Sequence, residues 1–168
     1  MHNPSQVMIR AADMDDCEVI VEFNRRLAEE SEGKSLESEQ LSAGVQTLLA
    51  HHHHGRYFVA CAAERVVGQL MHTKEWSDWR NGEIWWLQSV YVDPGYRRSG
   101  VFRSLFQHLE QLARSTPNVI GLRLYAEEQN LKALEAYRAL GLSPAGYLVM
   151  ERFFERTAKV DESPFTNK

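Results

Sequence analysis

The stretch VDPGYRRSGVFRSLF, residues 92–106, ends an apolar run in a Pro94–Gly95 turn, passes Arg97, Arg98, Gly100 and Arg103, and closes on helically spaced apolar residues. A helix start carries unpaired backbone N–H groups and a partial positive charge, so it can receive an anion. Gly100 would let a ligand approach the backbone closely, and the arginines add formal charge, so the chemistry that suits is phosphate or pyrophosphate binding. From these residues alone, a solvated basic helix start reads equally well. Neither the GxGxxG fingerprint of dinucleotide sites nor the glycine-lysine-serine/threonine ending of nucleoside triphosphate loops is present.

The remaining chemistry-bearing residues point to less. His51 to His54 are consecutive, and four consecutive helical residues point in directions roughly 100° apart, so they do not converge on a metal. An exposed helix end closed by Gly55 is the expectation, and no metal is expected. Cys17 and Cys61 lack the paired spacing of zinc or redox sites and read as two buried, reduced thiols. With 19 Lys and Arg against 23 Asp and Glu, the formal net charge of −4 argues against a broad footprint on nucleic acid or an anionic membrane. Any anion site is therefore local. No segment approaches the roughly 20 apolar residues of a membrane span, and the N-terminus lacks a basic stretch leading into an apolar core. A soluble cytoplasmic protein is expected, with neither nucleic acid nor membrane as partner.

The elements that must position the anion site follow from periodicity. Residues 6–12 read as a strand, with Asp13 capping a helix whose Ile20, Phe23 and Leu27 form one stripe. A second helix begins near Ser38 and carries Leu41, Val45, Leu48 and Leu49. RYFVACAA and VVGQLMHTK, joined by Glu64 and Arg65, read as a hairpin, and residues 83–92, EIWWLQSVYV, as a central strand covered on both faces. After Gly100 a helix carries Phe102, Leu105, Phe106, Leu109 and Leu112 until TPN stops it. VIGLRLYA is a strand, NLKALEAYRALG a helix ended by Gly141, and GYLVMERFF, residues 146–154, a last strand. A meander followed by crossover units implies an α/β fold with a mixed, mostly antiparallel central sheet flanked by helices on both faces. Residues 1–154 are expected to form one domain, and 155–168 a polar, mobile tail.

VYVDPGYRRSGVF resembles motif A of the GNAT superfamily of N-acetyltransferases: a strand, a short turn, then Arg/Gln-x-x-Gly-x-Gly/Ala opening a helix. Arg97 and Gly100 match its first and fourth positions. NLKALEAYRALGL, residues 130–142, is similar to motif B through Asn130, Ala133, Tyr137 and Gly141, and MIRAADMDD to the family's first strand and helix. The resemblance implies acetyl-CoA as the acyl donor. The backbone of Val90, Tyr91 and Val92 would pair with its pantetheine arm, the amides of Arg98, Ser99, Gly100, Val101, Phe102 and Arg103, beside Arg97, would hold the pyrophosphate, and Asn130 and Tyr137 would line the far side of the cleft. Phe102 stands where the family has Gly or Ala, but it keeps its N–H.

By the same resemblance, Tyr137 would protonate the departing thiolate, since a phenol holds its proton at neutral pH. Its other reading is as part of an apolar stripe with Leu134 and Leu140. Gln88 replaces the glutamate that polyamine-type relatives use as a base, and an amide cannot take that role. Glu83 and Glu127 are the candidate carboxylates in its stead. The implied reaction is direct attack by the primary amine of a small molecule on the thioester, with an amide near Val90 polarising the carbonyl. The acidic AEESEGKSLESE and the tryptophan-rich EWSDWRNGEIWW would bind the cationic acceptor. The alternative is a non-catalytic acyl-CoA-binding regulatory module. A homodimer is the assembly common in the family.

Overall fold

The computed structural model describes residues 7–154. Five strands form one sheet in chain order: β1 Met8–Ala11, β2 Gly55–Ala62, β3 Arg65–Ser77, β4 Gly82–Val92 and β5 Val119–Leu124. Neighbours through β4 are antiparallel, and β4 with β5 is parallel. The mixed, mostly antiparallel sheet expected from the sequence is thus present. Helices α1 Cys17–Glu32 and α2 Ser38–Ala50 precede β2, α3 Val101–Ser115 bridges β4 and β5, and α4 Leu131–Ala139 follows β5.

Alternation sorts each strand's side chains to two layers. Tyr57, Val59 and Cys61 face α1 and α2, where Ile20, Val45 and Leu49 meet them. Phe58, Ala60, Leu70, Trp85 and Leu87 face α3, whose Val101, Leu105, Phe106, Leu109 and Ala113 are all buried. Spacings of three and four along α3 put these five on one side, and burying that stripe ties the helix to the sheet.

Asp13 caps a short 3₁₀ turn, Met14–Asp16, rather than α1 itself, and Asp16 returns a bond to the Asp13 backbone. Glu37 caps α2, its carboxylate accepting from the backbone N–H groups of Glu39 and Gln40. Gly55 is not the helix stop: α2 ends at Ala50 with His51 as its C-cap, and Gly55 opens β2 at φ +150°, where a Cβ would stand 2.0 Å from the His72 carbonyl oxygen. His51 to His54 form an exposed turn. Cys17 and Cys61 are free thiols, and only Cys61 is fully buried.

The last strand is a correction. Residues 146–154 pair with no strand among the described residues, and Tyr147, Leu148, Met150, Phe153 and Phe154 stand 75–90% exposed. The run is apolar at both alternate positions, so it needs cover on both faces to persist as a strand. Among the described residues, neither face is covered. Residue 6 and the tail 155–168 lie outside the described residues.

Candidate active site

The site is built where β4 breaks its own ladder. Gln69 of β3 faces Tyr91, whereas Met71 faces Gln88, so one more residue is threaded through β4 than through β3, and Ser89 and Val90 together stand opposite Leu70. This is a β-bulge. Ser89 takes φ +50°, a left-handed conformation unusual for a residue with a side chain. On the other side of β4, pairing to β5 ends at Leu87 with Leu124. From Gln88 to Val92, β4 therefore has no strand neighbour on that side among the described residues, leaving an edge to which an extended chain of amides could add.

The helix start expected to receive an anion lies just past this edge. Asp93 caps the Pro94–Tyr96 turn, Arg98 adopts φ +64°, and Gly100 caps α3 at φ 90° with open space where a Cβ would stand. The first helical bond runs from the Ser104 N–H to the Gly100 carbonyl, so the N–H groups of Val101, Phe102 and Arg103 have no helical acceptor. Arg98 and Arg103 are exposed, and the Ser99 hydroxyl donates to the Tyr96 carbonyl at 2.6 Å. Arg97 behaves differently from the expectation. Its guanidinium donates to the Val92 carbonyl at 2.9 Å and to Glu30 of α1 at 2.5 Å, lying over the Tyr91 ring. The Tyr91 hydroxyl also donates to Glu30, at 2.7 Å, and that bond first, then Arg97, holds the Glu30 carboxyl below its usual range.

Tyr137 is half-buried on α4 and meets the Phe102 ring edge to face at 5.8 Å, which brings it to the start of α3. Burial raises its phenol, so the hydroxyl keeps its proton. Phe102 also turns towards Phe106, its ring packed on the core rather than across the helix start. Asn130 caps α4, its side-chain oxygen accepting from the Ala133 N–H at 3.1 Å. Glu127 sits exposed in the turn between β5 and α4. Glu83 is at the opposite end of β4 from the bulge, about 20 Å along the strand, and accepts from the Trp85 indole on the α3 side. The Gln88 amide donates to the Thr73 hydroxyl at 2.8 Å.

A cleft of about 690 Å³ opens between α1, α2 and the sheet. Its floor is Asn24, Tyr57, Met71 and Ser89, so the bulge itself forms part of it. Its rim includes Glu32, Lys34 and Glu37 from the acidic segment between the helices. The tryptophans expected to share this task are elsewhere: Trp85 faces α3, Trp86 donates to Glu75 beneath Arg123, and Trp76 and Trp79 are exposed.

Sequence reasoning missed the polar chain beneath the cleft. The fully buried Gln69 amide donates to Asn24 at 2.7 Å and to the Ser89 carbonyl at 3.1 Å, and the Asn24 amide donates to the Tyr57 hydroxyl at 2.9 Å. A signal for it existed: Asn24 stands four residues after Ile20, within the apolar stripe of α1, and Gln69 is flanked by Gly68 and Leu70 in a buried strand.

A mixed sheet opened between β4 and β5 beside a helix N-terminus, with a cleft at the bulge, defines the fold of an acetyltransferase. The chain belongs to the acetyltransferase (GNAT) family, whose model matches residues 19–142. It is similar to the thialysine N-epsilon-acetyltransferase of Bos taurus, 28% identical over 147 residues that cover 80% of this chain and 83% of that protein. A possible acetyltransferase from Clostridium difficile 630 is 42% identical with a TM-score of 0.83, the match covering 89% of this chain and 99% of that one. A predicted acetyltransferase with acetyl-CoA from Clostridium acetobutylicum, 17% identical, has the same fold at a TM-score of 0.64 over 90% and 96% of the two chains. Among the described residues no helix is long and apolar enough to cross a membrane, and no group of His, Cys, Asp and Glu could hold a metal ion.

Proposed function

We propose that the chain, through one domain spanning residues 1–154, moves an acetyl group from acetyl-CoA to the primary amine of a small molecule bound in the cleft over Ser89. The observation that carries this reading is that Ser89 belongs both to the open edge of β4 and to the cleft floor. Donor and acceptor can then meet at one backbone position.

The residues fit the donor. The backbone of Val90 to Val92 offers an edge for the pantetheine amides, and the N–H groups of Val101, Phe102 and Arg103, with Arg98 and Ser99 beside them, suit the pyrophosphate. Asn130 acts as the cap that starts α4 and so sets the position of Tyr137. In the reaction the amine nitrogen attacks the thioester carbonyl, its oxygen accepts a bond from the Val90 N–H, the carbon–sulfur bond breaks, and the Tyr137 hydroxyl protonates the thiolate. The amine arrives as an ammonium ion, drawn by the carboxylates of the rim. Moving to an uncharged floor of Asn24, Tyr57, Met71 and Ser89 favours its neutral form, because desolvation disfavours charge. Its proton leaves through water towards Glu127 at the open end of β5. Glu83 is too far along β4 for this role, and Gln88 orients rather than accepts. Free thiols at Cys17 and Cys61 suit a cytoplasmic protein, and a homodimer is the proposed assembly.

The test is free-thiol release from acetyl-CoA by the purified protein with polyamines, amino acids including thialysine, aminoglycosides and a lysine peptide. Release dependent on one amine supports the reading and gives the substrate class. Binding of acetyl-CoA without release on any amine would favour the regulatory module instead.

A further inference from the structure

Gln69 touches neither proposed substrate, yet it holds the peptide unit on which the chemistry is proposed to depend. It is 0% exposed, in the middle of β3. Both protons of its amide nitrogen are committed, one to Asn24 of α1 at 2.7 Å and one to the Ser89 carbonyl at 3.1 Å. Its amide oxygen has no protein partner among the described residues. Burying an amide completely is less favourable than burying an apolar side chain of the same volume, because its polar atoms lose water. An apolar side chain of similar volume would avoid that penalty, so stability alone does not account for the residue.

We infer that Gln69 is a positioning residue that clamps the Ser89 carbonyl and thereby aims the Val90 N–H into the opening between β4 and β5. A trans peptide unit is planar, with its C=O and N–H pointing in opposite directions, and the described chain has no cis peptide. The Ser89 carbonyl is drawn to Gln69, on the β3 side. The N–H of the same peptide unit, that of Val90, therefore points away from β3, towards the side that β5 vacates after Leu124. Neither Ser89 nor Val90 has a ladder partner among the described residues to fix this peptide, and Ser89 is strained at φ +50°. Without the clamp, the peptide is free to rotate and the bulge to migrate by one residue. Asn24, bonded in turn to Tyr57, fixes the amide of Gln69 from α1, so the clamp is braced by the helix that walls the cleft.

The inference rests on the acetyl-transfer reading, and the experiment separates the two. Gln69→Met keeps the volume and removes both donated bonds; Gln69→Asn keeps an amide but is one methylene too short to reach Ser89. Removing an oxyanion donor lowers kcat about 10²–10³-fold, and misaiming one is expected to lower it about 10–100-fold. The expected result in both variants is that loss in kcat for thiol release, with KM for acetyl-CoA and for the amine within about threefold of wild type. Folding is checked by circular dichroism, and Gln69→Asn stands in if Gln69→Met does not fold. In the same variants, without substrate, the ¹⁵N–¹H resonance of Val90 shifts and its amide exchange rate changes. A folded variant with wild-type kcat, or with a loss confined to KM, would overturn the positioning role. An unmoved Val90 resonance would overturn the clamp itself. If wild type releases no thiol on any amine while Val90 still responds to Gln69→Met, the clamp stands and the transfer reading fails.

Discussion

Acid should weaken this fold through one histidine, by an amount that can be worked out in advance. His72 of β3 is 3% exposed, with Trp85 stacked on it at 4.2 Å between ring centroids and Phe58 on its other flank at 6.0 Å. Its Nδ1 has no protein hydrogen-bond partner among the described residues. Burial first, then the charge of Lys74, with Arg56 adding to it and Glu83 and the Thr73 backbone opposing, pushes the imidazole down from 6.5 to about 4. The folded state thus holds the neutral ring, whereas the unfolded chain takes up a proton once the pH drops below 6.5. Stability from this group is complete above pH 6.5 and is lost as the pH falls to about 4. The lowering corresponds to about 3 kcal/mol, a large share of the 5–15 kcal/mol (roughly) of an ordinary domain. His72→Phe keeps an aromatic ring in the stack and removes the titration. Denaturant unfolding of both chains at pH 7.5, 6, 5 and 4 isolates the histidine, because carboxylates such as Asp16 titrate alike in the two. Wild type should lose about 3 kcal/mol more than the variant across that range, and parallel stability curves would refute the reasoning.

Two further outcomes follow from the site and a third from the sheet. Tyr137→Phe leaves the ring against Phe102 and should lower kcat about 10²-fold, as loss of a general acid does, with the thermal midpoint and acetyl-CoA affinity unchanged; a kcat within threefold of wild type would remove Tyr137 from the acid role. Glu30→Gln frees Arg97 and Tyr91 beside the donor edge and should raise KM for acetyl-CoA up to about fivefold, the scale of a part-exposed ion pair, while KM for the amine stays put; a rise in the amine KM instead would return Glu30 to the acceptor side. Gly55→Ala sets a Cβ 2.0 Å from the His72 carbonyl and should destabilise the protein by more than about 3 kcal/mol. A melting point within a few degrees of wild type would show that β2 and β3 can part more easily than their register suggests.

Periodicity carried the fold well wherever an element's burial is decided by its own chain. The five buried positions of α3 recur at helical spacing, and β4, apolar nearly throughout, is covered on both faces as such a run requires. Residues 146–154 show the limit of the same logic. An apolar run marks a need for cover, but its partner lies outside the run and is not written in it. Gly55 fails for a related reason: a glycine after a helix reads as a stop, whereas here its missing Cβ serves the close approach of β3, a long-range contact that local reading cannot see.

At the site, the motif residues were legible as backbone and illegible as side chains. Gly100 and the free N–H groups after it lie where the spacing put them, because a left-handed cap needs little beyond its own residue. Arg97 reads as an anion ligand by charge, yet Glu30, 67 residues away in the chain, claims it. Gln88 reads as the loss of a base, a deficiency if the reaction must deprotonate an ammonium ion at the floor. The cleft removes that difficulty under the proposed reading: its carboxylates stand at the rim and its floor is uncharged, so an amine crossing from one to the other is shifted towards its neutral form by desolvation. Polar residues set in apolar stripes, Asn24 and Gln69, are then the better sequence signal for this site than its charges. A buried amide in such a stripe must be held by something, and here what it holds is the bulge.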